Sequence, residues 1–139
     1  MAGFRGMNKY KKTVNKAKND LLHRVTKKAF ENLVITSPVD IGNFRGSWLA
    51  GVLAPRLNNP YDTVDQSMSI SKGQPPNSFE ISNLAPAMRA IFGQTVFITN
   101  NVAYAQKLEN GGSRQAPGGV LRVSAQKTRA HFANKGVKL

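Results

Sequence analysis

The sequence predicts an α+β domain: a long N-terminal helix packed on a small, mostly antiparallel sheet, with short helices toward the C-terminus. Three observations predict it. Apolar residues recur every three or four positions through residues 8–36, the spacing of one helix face. Two later segments, 44–53 and 95–99, are short and rich in β-branched, aromatic or other apolar residues. Between the helix and the first strand lies Ser37-Pro38-Val39-Asp40-Ile41-Gly42-Asn43-Phe44-Arg45-Gly46-Ser47-Trp48. This stretch combines turn formers, aromatic rings and one ion-pair candidate.

The helix stripe is Val14, Ala17, Leu21, Val25, Ala29 and Leu33, widened by Leu22, Phe30 and Val34. Lys11, Lys12, Lys16, Lys18, Lys27 and Lys28 fall mostly elsewhere on the wheel. Thr36 and Ser37 before Pro38 end the pattern, because the residue before a proline is pushed out of the helical region. At about 25 residues this helix exceeds the usual globular length. Its stripe is therefore expected to pack on a sheet, on a neighbouring subunit, or on both.

Segment 44–53 reads as the first strand. Residues 55–78 are rich in Pro, Asn and Ser and read as a long excursion, with 67–71 alternating like a short strand. Weak helical spacing follows over 83–92 (Leu84, Met88, Ile91), with Pro86 near its start. Thr95-Val96-Phe97-Ile98-Thr99 is the clearest strand. Residues 104–110 predict a short helix stopped by Gly111-Gly112. A last helix is predicted over 117–132, with Pro117 in its first turn and Leu121 and Ala125 on one face.

At 139 residues the chain suits one domain, with a basic helix at 1–36, a sheet core at 37–113 and a basic C-terminal segment at 114–139. It has no cysteine, which excludes disulfides, thiolate metal sites and thiol nucleophiles. No apolar run approaches the roughly 18 residues of a membrane span, and Met1-Ala2-Gly3-Phe4-Arg5 lacks the apolar core of a secretory signal. A cytoplasmic origin is the expectation. The net charge of +13 divides into +7 over residues 1–36, zero over 37–113 and +6 over 114–139. Basic ends of this kind face a polyanion or an acidic protein surface, or form a solvated lysine face.

Nothing in the pattern points to chemistry. Serine, aspartate and His23 or His131 could be assembled into a triad only without a nucleophile elbow, and both histidines sit in basic helix patterns. Two histidines without spaced partners make no zinc site. Gly111-Gly112 and Pro117-Gly118-Gly119 read as a helix stop and a turn, not as a phosphate loop. The basic ends lack interleaved aromatics, which disfavours a specific reader of nucleic acid and leaves nonspecific backbone contact open. No enzyme, cofactor or metal is expected.

A second dense stretch runs Asn100-Asn101-Val102-Ala103-Tyr104-Ala105-Gln106-Lys107-Leu108-Glu109-Asn110-Gly111-Gly112-Ser113-Arg114-Gln115-Ala116-Pro117. Its paired asparagines could cap the following helix, and Tyr104 and Leu108 share one face. Glu109 is a candidate partner for Arg45 or Arg114. Phe44, Trp48 and Tyr104 are expected in the core.

Together the stretches 37–48 and 100–117 resemble the small neck or tail-completion proteins of long-tailed bacteriophages. The two motifs cover about 30 residues, and their order and the helix-first layout match over most of the chain. Pro38, Asp40, Gly42, Arg45 and Trp48 match the first motif; Asn101, Tyr104, Glu109 and Gly111 match the second. Ile41 stands where that family often has Thr, and Ala103 where it often has Pro. The resemblance implies a non-enzymatic virion protein made in the host cytoplasm. It would form a hexameric ring, with a dodecamer as the alternative, at the head–tail junction. Its neighbours would be head-completion or connector proteins and tail terminator or tail tube proteins. The excursion 55–78 and the basic segment bearing Arg122, Lys127, Arg129, Lys135 and Lys138 are the expected contacts with adjoining rings or with genomic DNA in the lumen. A tail terminator ring capping the tube is the nearer alternative; a nonspecific nucleic-acid-binding protein is the more distant one. Within the first motif, Pro38 is expected to end the helix, Gly42 to permit the turn, Arg45 to tie the corner to Glu109 or Asp40, and Trp48 to anchor it.

Overall fold

A computed structural model describes residues 2–39, 43–58 and 72–139. The chain runs α1 (Ala2–Thr36), a single turn α2 (Asn43–Gly46), β1 (Trp48–Val52), α3 (Ser78–Leu84) with a 3-10 turn (Ala85–Arg89), β2 (Val96–Asn100), α4 (Ala105–Glu109) and α5 (Leu121–Ala133). This is the α+β arrangement of a long N-terminal helix, a small antiparallel sheet and short helices.

At 35 residues, α1 is about 52 Å long, and it begins several residues before the predicted start. Only its second half enters the core. Phe30, Leu33 and Val34 are buried, whereas Met7 and Tyr10 are 58% and 70% exposed and Ala17 is exposed too. The helix stops where its proline says it should. Ser37 donates through N and Oγ to Leu33 O (3.0 and 2.7 Å), closing the last turn just before Pro38.

The first strand starts later than its pattern suggested. Residues 43–46 form the turn α2, and β1 begins at Trp48. The reason lies in the turn's own bonds: Ser47 N–H returns to Phe44 O (3.2 Å) and Ser47 Oγ donates to Asn43 Oδ1 (3.2 Å), so the backbone is not free to extend before Trp48. The helix predicted over 83–92 begins earlier, at Ser78, and its second half tightens into the 3-10 turn around Pro86. Pro117 lies in a turn ahead of α5 rather than in its first turn, since α5 begins at Leu121. The alternating segment 67–71 lies outside the described residues.

The strands β1 and β2 pair antiparallel, with Trp48 opposite Asn100 and Val52 opposite Val96. Leu53 N–H continues the ladder to Thr95 O at 2.9 Å. That parity leaves the N–H and C=O groups of Val96, Ile98 and Asn100 pointing away from β1. Among the described residues no further strand meets them. The core gathers Phe30, Leu33 and Val34 of α1 with Phe44, Trp48, Ala50, Leu84, Ala87, Val102, Ala116 and Val120.

The α5 helix docks on α1 through an unexpected face. Ser124, Thr128 and Phe132 are buried, while Leu121 is 50% exposed and Ala125 is exposed. Asn32 Nδ2 donates to Thr128 Oγ1 (3.0 Å), Ser124 Oγ to Asn32 O (3.1 Å) and Thr128 Oγ1 to Ser124 O (2.8 Å). Small hydroxyl side chains with internal partners can be buried at a close helix contact without stranding a polar group. Apolar periodicity alone could not see this seam.

Candidate functional site

The two dense sequence stretches meet in space. Gln115 Oε1 accepts from Val39 N (2.9 Å) and its Nε2 donates to Val39 O (3.0 Å). Asn100 Nδ2 donates to Phe44 O at 2.7 Å. The Phe44 ring meets Trp48 edge-on at 5.5 Å and Tyr104 at 6.3 Å. Trp48 is buried, and its Nε1 donates to Ser37 Oγ at 2.8 Å. Phe44 and Trp48 are thus core residues as expected, and Tyr104 is not, being 41% exposed. Pro38 is buried beside the helix end; Asp40 and Gly42 lie outside the described residues.

Arg45 does not pair with Glu109. Its guanidinium, 1% exposed, grips Glu80, equally buried, through Nε to Oε1 (2.8 Å) and a second nitrogen to Oε2 (3.1 Å). A further bond from Arg45 reaches Pro75 O at 2.8 Å. Glu80 has a second task. Its carboxylate accepts from Asn77 N (2.9 Å), while Asn77 Oδ1 accepts from Glu80 N (2.9 Å), forming a capping box at the start of α3. The signal was present as Asn77-Ser78-Phe79-Glu80, but the proline pair before it masks the helix start.

Glu109 caps the start of α5. Its carboxylate accepts from the N–H groups of Val120 (2.8 Å), Leu121 (2.7 Å) and Arg122 (3.1 Å). Partial burial pushes its carboxyl up; the three backbone donors, from Leu121, Val120 and Arg122, and the Arg122 charge outweigh this and hold it below the usual carboxylate range. Neither Arg45 nor Arg114 is its partner. Gly111 stops α4 at φ +84°, and a Cβ there would come within 2.8 Å of Pro117 O. Gly119, at φ +85°, lets the chain pass against Glu109. The asparagines do not cap α4, whose first turn has no side-chain cap. Asn100 Oδ1 instead accepts from Val102 N (3.3 Å), and Asn101 Nδ2 ties back residues 56 and 58 through Arg56 O (2.8 Å) and Asn58 O (3.3 Å).

Two surfaces flank the α1–α5 seam. On one side, two adjoining hollows of about 420 and 390 Å³ share Ile98 and Leu121 and follow the edge of β2 that meets no further strand among the described residues. Ala29, Leu33 and Ala125 line the first; Phe44, Trp48 and Ala105 line the second. On the other side a cleft of about 280 Å³ is lined by Arg24, Lys27, Lys28, Glu31, His131, Phe132 and Lys135. The five basic residues expected to act together are therefore divided. Lys135 belongs to the cleft, Arg129 borders the apolar hollow, Arg122 sits at the Glu109 cap, and Lys127 and Lys138 are exposed elsewhere.

The histidines are far apart in role. His23 Nε2 donates to Ala90 O at 2.6 Å, while His131 lies in the basic cleft. Among the described residues, no three His, Asp or Glu side chains converge as metal ligands, and no helix is long and apolar enough to cross a membrane. Compared with known proteins, the chain matches no family model, no curated protein and no solved structure.

Proposed function

We propose that this chain is a structural protein of a tailed-phage virion, a subunit of the neck or tail-completion ring that joins the head connector to the tail tube. The resemblance of stretches 37–48 and 100–117 supports this reading, and the packing of Val39, Phe44 and Trp48 on Gln115, Asn100 and Tyr104 is consistent with the two stretches acting as one unit.

One observation carries the reading furthest: the apolar hollows run along the edge of β2 that faces away from β1, in a sheet that has two strands among the described residues. Two strands are a marginal sheet in water, and an open edge beside apolar side chains is a template for another chain. The stretch of α1 that bears Met7 and Tyr10, both exposed, is a second apolar surface. Two different uncovered surfaces on one subunit suit a heterologous contact, which closes into a ring when the rotation per subunit allows. The protein works by association in this reading, without catalysis or cofactor.

Light scattering after size exclusion, with negative-stain imaging, tests it. Wild type is expected to form rings alone or with purified connector or tube rings. Leu121→Glu and Ala125→Arg, both at exposed positions, should leave helix content intact, change stability by about 0.5 kcal/mol or less, and abolish ring formation. Rings that persist in both variants, or a wild type that stays monomeric under all these conditions, would reject it.

A further inference from the structure

We infer that the cleft between α1 and the end of α5 is a docking surface for the phosphate backbone of a nucleic acid. Arg24, Lys27 and Lys28 approach it from α1, and Lys135 follows from the end of α5. Among the described residues Glu31 is the only acid on its lining, and its contacts with Lys27 and Lys28 are loose, at 4.0 and 3.9 Å. The lining therefore keeps a surplus of three positive charges with His131 neutral. Lys27 is exposed and Lys28 part-exposed; solvent-accessible pairs this loose contribute little, so both lysines are available to an external anion.

The direction of the charge favours a periodic polyanion over an acidic patch on a folded protein. Lys9, Lys16 and Lys27 fall along one line of α1, at spacings of seven and eleven residues, with Asp20 on the same line between Lys16 and Lys27. They extend the cleft into a row about 27 Å long. A phosphate backbone supplies charge continuously over such a length. The cleft shares no lining residue with the apolar hollows. The inference does not depend on ring assembly.

His131 supplies a local reporter. It faces Arg24, Lys27, Lys28 and Glu31 from α1 and Lys135 from the end of α5. Burial, then the charges of Lys135 and Lys28, hold its imidazole below the usual histidine range, and Glu31 opposes them only in part. A phosphate seated there would reverse the local field and raise it.

The test is fluorescence anisotropy of the full chain with a 24-base-pair duplex over a salt series. Lys27→Gln/Lys28→Gln/Lys135→Gln is compared with Lys127→Gln/Arg129→Gln/Lys138→Gln, which removes equal charge elsewhere; circular dichroism verifies folding of both. Neutralising the cleft should weaken binding at least tenfold and flatten the log–log salt slope by about 2 to 3, at about 0.9 for each phosphate no longer neutralised. The control triple should change the slope by less than about one. Equal losses from the two triples would overturn the proposal, since binding would then be diffuse. Displacement of the duplex by polyglutamate at matched charge would overturn it in favour of an acidic protein partner. In the same samples the His131 imidazole, followed by NMR, should titrate at higher pH with duplex than without; an unchanged titration would also overturn it. Rings without duplex binding would sink this inference alone, and duplex binding without rings would sink only the assembly reading.

Discussion

Glu80 and Glu109 are chemically identical carboxylates placed at two helix starts, and the protein uses them in opposite ways. Glu80 is sealed from water and faces a guanidinium delivered by the α2–β1 corner. Glu109 is half-buried and faces three backbone N–H groups at the start of α5. In the first case two full charges have left water together, so each is tolerable only while the other is present. In the second a charge meets the partial positive end of a helix and keeps some contact with solvent. The difference separates a joint that must be complete from a cap that can be weakened by degrees.

The largest expected effect comes from breaking the sealed pair. Glu80→Ala takes the carboxylate from the buried Arg45 guanidinium and removes the capping box at once, and should cost about 3–5 kcal/mol. For a chain of this size that lowers Tm by roughly 10 °C or more, read by thermal denaturation. Replacing both partners, as Arg45→Met/Glu80→Met, should recover most of the loss, because buried apolar pairs of similar volume are near neutral. A double variant no more stable than the single one would show that the bond to Pro75 or the capping box dominates instead.

A smaller effect is expected at the other end of the same corner. Trp48→Phe keeps an aromatic ring against Phe44 and loses the Nε1 bond to Ser37 Oγ. Loss of that bond and of some buried surface should cost about 1–2 kcal/mol, measurable by urea unfolding. Ser37 still donates to Leu33 O, which is why the helix end should survive.

The mildest change expected is at Glu109, and it depends on pH. Glu109→Gln keeps an acceptor but loses the charge at the start of α5, and should cost about 1 kcal/mol at neutral pH. Because the folded carboxyl is held below its ordinary value of 4.5, its contribution is fully present above that pH. It is lost as pH falls through the lowered folded value. Wild type should therefore lose stability over this acid window, and the variant should lack that part of the slope. Identical acid profiles would mean that the cap contributes nothing through its charge.

These residues also mark how far a reading of sequence reaches. The end of α1, the strand at 96–100 and the stop at Gly111 were legible, because each is set by neighbours a few residues away: Ser37 before Pro38, a β-branched run, a glycine able to take positive φ. The same local logic held Asn77 and Glu80 as a capping box, obscured by the prolines at 75 and 76. Glu109 and Asp40 were the expected partners for Arg45; the fold gives Arg45 to Glu80 and Glu109 to the start of α5, and Asp40 lies outside the described residues.

The helix-first α+β layout, the helix stop at Ser37-Pro38 and the concentration of charge at the two ends are written in local sequence. Tertiary structure decided which carboxylate meets Arg45, which face of α5 meets α1, and which cations converge on one cleft. Periodicity and turn chemistry act over one or two turns of chain. Ion-pair partners are chosen across 35 residues and the hydroxyl seam across more than 90, where only packing brings the groups together and exclusion of water makes the choice matter.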